Sequence, residues 1–129
     1  MSPKRACEAA LDDDWGTAKV ERDRIITSIR MRSPISDHLF DRFLQHDVRG
    51  VSAMYWTPLA AAVRAGELLD EVGAETVMDL GSGAGKFCIA AALASKAQFI
   101  GVEHRERLVH AARHLARQFE LEDRVSFLH

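Results

Sequence analysis

TVMDLGSGAGKFCIAAALASK, residues 76–96, passes from a β-prone run through three alternating glycines into an alanine-rich segment. Thr76 to Leu80 suit a strand, and Phe87 to Lys96 is built from helix formers, so strand, tight turn and helix are expected in that order. Downstream the alternation repeats. Gln98 to Glu103 (Phe99, Ile100, Val102) reads as a second strand, Arg105 to Glu120 as an amphipathic helix, and Arg124 to Leu128 as a third strand. A βαβαβ order with short connections favours an α/β fold with a parallel sheet covered by helices and right-handed crossovers.

Upstream, Thr57 and Pro58 form a helix start, the hydroxyl capping free amides and proline fitting the first position. A helix from about Pro58 to Val72 is expected to end at Gly73 in a left-handed conformation. Ser36 caps a further amphipathic helix through Leu39, Phe40, Phe43 and Leu44 to about His46, and Asp47 to Tyr55 reads as a loop. In residues 1–35 only Ile25, Ile26 and Ile29 share a helical side, which suggests a loosely attached extension. Two parts follow: a helical extension, 1–53, and a βαβαβ half-domain, 54–129.

The chain has 129 residues, the size of one domain, and such a chain buries roughly two-thirds of its unfolded surface, enough for a core without staples. With 47% hydrophobic and 28% charged residues it is neither disordered, collagen-like nor a disulfide scaffold. Cys7 and Cys88 stand far apart, and Cys88 lies beside Ile89 and three alanines as a small buried hydrophobe, which fits a reducing cytoplasm. Residues 1–30 carry charges throughout and hold no apolar signal segment, and no run approaches the ~20 residues of a membrane helix. A cytoplasmic protein with no membrane partner is expected. A net charge of −2 gives no indication of nucleic acid.

The spacing of the turn restricts its ligand. A dinucleotide GxGxxG from Gly81 would need glycine where Lys86 stands, and a GxxxxGK[ST] phosphate loop would need glycine at Leu80 and a hydroxyl at Phe87. DxGxGxG remains. Asp79 would repel a pyrophosphate but suits an ammonium, and the alternating glycines let a ligand approach the backbone. Glu103 ends the second strand 18 residues after Gly85, close to the ~20 at which an acid accepts ribose hydroxyls in nucleotide-binding βαβ units. An adenosine bearing a cationic amino-acid arm satisfies both carboxylates, which describes S-adenosylmethionine.

VMDLGSGAG at 77–85 and IGVE at 100–103 resemble the first and second motifs of class I, seven-strand S-adenosylmethionine-dependent methyltransferases. The resemblance covers about residues 54–129. YWTP at 55–58 is similar to the segment upstream of the first motif in protein-lysine methyltransferases of this fold, a weaker likeness. The resemblance implies a partial Rossmann-like three-layer sandwich with strands in order 3-2-1, and a fold that continues past the third strand. The C-terminal half would then be missing, and this chain alone inactive. It also implies that Asp79, Gly81 and Gly83 line the methionine side, with Ser82 and Gly85 in the same turn. Glu103, with His104 beside it, would bind ribose, and Tyr55 and Thr57 would border the mouth. The product would be S-adenosylhomocysteine.

Plainer readings stand beside these. The turn can be an ordinary connection, Glu103 a solvated acid, and Tyr55 and Trp56 packing aromatics. His110 and His114 lie four apart on one helix without further ligands, so no metal is expected. The arginines of that helix, Arg105, Arg107, Arg113 and Arg117, read as a wet outer surface. No catalytic base can be named, and the methyl acceptor, protein or small molecule, is not specified. A non-catalytic cofactor-binding subunit and an NAD-dependent oxidoreductase half are the alternatives. An unpaired first strand would favour a homo-oligomer.

Overall fold

The computed structural model describes residues 3–50 and 52–129, of which 3–15, 53 and 55 are described by backbone alone. Its elements in chain order are α1 (Pro3–Arg30), α2 (Asp37–Asp41), α3 (His46–Arg49), α4 (Ser52–Tyr55), α5 (Leu59–Glu71), β1 (Thr76–Leu80), α6 (Lys86–Leu93), β2 (Gln98–Val102), α7 (Glu106–Gln118) and β3 (Val125–Leu128). The strands are parallel in the order β1-β2-β3, so the mixed α/β, partly Rossmann-like fold is as expected. No described helix is long and apolar enough to cross a membrane.

The register sets Val77 beside Phe99 and Phe99 beside Val125, then Asp79 beside Gly101 and Gly101 beside Phe127. Alternation puts these six on one face. Four of them, Phe99, Gly101, Val125 and Phe127, are buried beneath the helices. The opposite face carries Met78, Leu80 and Leu128, which are 58%, 76% and 51% exposed. Of the three layers expected, the described residues therefore supply two, helices and sheet.

α6 has no polar face, because Cys88, Ile89, Ala90, Ala91 and Ala92 are all buried. Its small side chains let α5 come very close: a Cβ built on Gly66 would stand 2.5 Å from the Ala91 carbonyl oxygen. α7 is amphipathic, burying Leu108, Val109, Ala111, Ala112, Leu115 and Ala116 at helical spacing. α5 ends as predicted, with Gly73 at φ 69°, its N–H donating to Asp70 O at 3.1 Å and that of Ala74 to Leu69 O at 2.9 Å.

Four expectations are corrected upstream. Ile25 and Ile29 are buried, so the second half of α1 is docked rather than loosely attached. The helix capped by Ser36 stops at Asp41, yet Phe40 stacks on Phe119 at 5.3 Å and Phe43 tilts against the same ring at 5.1 Å. The segment read as a loop from Asp47 to Tyr55 contains most of α3 and all of α4. Thr57 does not cap α5. The Leu59 N–H donates instead to both Asp37 carboxylate oxygens at 3.2 Å, so a side chain 22 residues upstream starts the helix.

Candidate cofactor site

The turn after β1 is fastened before it binds anything. The N–H groups of Gly81 and Ser82 both donate to Val102 O, at 2.8 and 3.0 Å, and that of Gly85 donates to Ser82 O at 3.1 Å. Gly81, Gly83 and Gly85 all have positive φ, so any side chain there is strained. Their surroundings differ. A Cβ on Gly85 would meet the Phe127 ring at 2.6 Å, and one on Gly83 would meet Trp56 Nε1 at 2.7 Å. Among the described residues, Gly81 alone of the three faces open space, so the backbone is open to a ligand there and not along the whole turn.

Two clefts meet at Gly81. One, of about 190 Å³, is lined by Trp56, Thr57, Asp79, Gly81, Ser82, Lys86 and Phe87. The other, of about 610 Å³, is lined by Asp47, Val48, Trp56, Gly81, Arg105, Arg107 and Leu108. The structure thus brings Thr57, Asp79, Gly81 and Ser82 to one cleft. Gly83 and Gly85 are buried and support the turn. The Tyr55 side chain lies outside the described residues.

Asp79 is half-buried, and the hydrogen bond it accepts comes from the Cys88 thiol at 3.6 Å. Burial pushes the Asp79 carboxyl above its usual range, with the thiol only partly offsetting it. Burial, then the neighbouring Asp79, pushes the Cys88 thiol up in turn, which keeps it an S–H donor. A desolvated carboxylate with so weak a donor favours a cation brought to it. Ser82, 7% exposed, buries its hydroxyl oxygen without a partner among the described residues.

Glu103 is 2% exposed and its oxygens are already engaged. Oε2 accepts from Gly83 N–H at 2.9 Å, and Oε1 accepts from Arg105 N–H at 2.9 Å and Nε at 3.0 Å. Arg105 Nη2 also reaches Oε2 at 3.3 Å. These donors, the Arg105 side chain foremost, hold the carboxyl at about 2. His104 Nδ1 lies 3.2 Å from Oε1 on a side chain 87% exposed. A sugar can reach Glu103 only if Arg105 yields.

Three side chains of the site escaped the sequence reading. Lys86, taken only as a missing glycine, is 2% exposed, its Nζ 2.8 Å from both Asp37 Oδ2 and Asp41 Oδ1 and donating to Ser52 Oγ at 3.0 Å. The available signal was a lysine opening a helix that is otherwise apolar all round. Arg105, read as wet surface, fastens Glu103 from two residues away. Trp56, read as packing, walls both clefts. Arg107 and Arg113 also bind back, to Asp47 Oδ2 at 3.1 Å and Phe127 O at 2.8 Å.

No curated protein matches the chain. Residues 71–129, which hold the glycine turn and all three strands, match the family model of a methyltransferase domain, and this part of the chain is class I methyltransferase-like.

Proposed function

We propose that the chain binds S-adenosylmethionine across the two clefts and serves methyl transfer to a protein or small-molecule acceptor, leaving S-adenosylhomocysteine. The observation that carries this reading is Asp79: a carboxylate raised by burial, bordering a cleft that opens onto Gly81. The residues present fit the cofactor. Asp79 holds the ammonium, and Gly81 lets the ligand lie against the backbone. Glu103 takes the ribose hydroxyls once Arg105 releases it. The cofactor supplies an activated methyl group, so these side chains act by binding and orienting. Cys88, a free buried thiol, suits a reducing compartment such as the cytoplasm.

A binding-only role is the second reading, favoured by the engagement of Glu103 with Arg105. Calorimetry with S-adenosylmethionine, S-adenosylhomocysteine and NAD, followed by a methyl-transfer assay, separates the possibilities. Binding of both adenosyl ligands but not NAD is expected, and Asp79→Ala should weaken S-adenosylmethionine at least ~10-fold, the scale of a charge-assisted hydrogen bond. Equal affinity in that variant overturns the site, and binding without turnover selects the second reading.

A further inference from the structure

The two clefts share Trp56 and Gly81 as walls. The indole lies over the turn, with Nε1 2.7 Å and Cδ1 3.2 Å from where a Gly83 Cβ would be. Its backbone is anchored as well. Trp56 N–H donates to Ser52 O at 3.1 Å, and the Ser52 hydroxyl accepts from Lys86, which opens α6 directly behind the turn. The ring is therefore set against the glycine turn from outside, by a polar knot independent of any ligand.

Asp79 lies in the smaller cleft, and Arg105, the partner of Glu103, lies in the larger. A ligand that places an ammonium in the first and a nucleoside in the second has Trp56 and Gly81 beside its path, because these are the walls the two clefts share. In S-adenosylmethionine the group joining the arm to the nucleoside is a sulfonium; in S-adenosylhomocysteine it is a neutral thioether. A cation held against an indole is attracted by the ring's quadrupole, and a thioether lacks that term. Resting on the function proposed above, we infer that Trp56 is a specificity-determining residue: its indole borders the sulfonium and favours the charged cofactor over the neutral product.

The test is calorimetry of both ligands on the full chain and on Trp56→Leu and Trp56→Phe, with circular dichroism to show that each variant is folded. Trp56→Leu should weaken S-adenosylmethionine about fivefold more than S-adenosylhomocysteine, a ratio within the range of cation–π attraction. Trp56→Phe, which keeps a ring, should retain most of the preference. In a Trp15→Phe background the remaining tryptophan emission should change on saturation with either ligand. Equal weakening of both ligands by Trp56→Leu, or emission unmoved at saturation, overturns the assignment while leaving the cofactor reading intact. Failure of the unsubstituted chain to bind either ligand removes both.

Discussion

Asp79 and Glu103 close two neighbouring strands, and the fold treats them in opposite ways. Asp79 is raised by burial, so its ionised form costs stability that a bound cation would offset. Glu103 is lowered, mainly by Arg105, and its ionised form stabilises the turn through Gly83. Because the folded value is depressed, that stability is present above the ordinary value of 4.5 and is lost as pH falls through about 2. Glu103→Gln should therefore lower stability by about 1–3 kcal/mol at pH 7, the range for removing a charged acceptor from buried donors. Denaturant melts at a series of pH values check the sign: the gap between the two proteins should shrink between pH 4.5 and about 2. A gap that is constant with pH would assign the loss to packing. The places of Asp79 at the strand end and of the glycines in the turn were legible because turn geometry and strand-end position are local properties of the sequence. The partners of Lys86, at Asp37 and Asp41, and the self-engagement of Glu103 were not, because no local period encodes which distant side chain reaches a buried charge.

Among elements, β1 matches the expected Thr76–Leu80 residue for residue, since its apolar run ends at a glycine cluster. α3 and α4 were missed because four-residue helices are too short to show a period. The α5–α6 contact illustrates what lies between these cases. Gly66 breaks no pattern in the sequence and by propensity alone would be better replaced. Alanine there gains ~1 kcal/mol of helix propensity but drives its Cβ to 2.5 Å from Ala91 O and 2.8 Å from Ala91 Cα, backbone atoms that cannot rotate away. Overpacking of this kind costs ~1–3 kcal/mol or more, so Gly66→Ala is expected to be destabilising overall. Gly16 in α1 has no atom of the described residues within 4 Å of its would-be Cβ, so Gly16→Ala should stabilise by up to ~1 kcal/mol. Thermal unfolding of the pair reads the contrast directly, and equal shifts would show that α5 and α6 are not in tight contact.

At the scale of the molecule, one apolar cluster runs from Ile25 through Phe40 and Phe119 to Phe127, so the N-terminal helices share their core with the sheet. The Phe40–Phe119 stack spans residue 53, where periodicity and the extent of the resemblance set the division, and no one-dimensional signal announces that contact. The far face of the sheet has the opposite character. Met78 and Leu80 of β1 and Leu128 of β3 stand open on it, and the outer backbone groups of β1 lack a strand partner among the described residues. Open apolar surface and an unpaired strand both favour association, and a two-fold pairing of copies covers the same patch on each. We expect the isolated chain to sediment as a concentration-dependent dimer at micromolar protein. Leu80→Lys combined with Met78→Lys should shift it toward monomer without loss of helical signal, because both side chains point to solvent and charged groups on an edge oppose pairing. A monomer at every concentration, in the unsubstituted chain as in the variant, would mean that this face stays open in solution and that self-association is not how the sheet is completed.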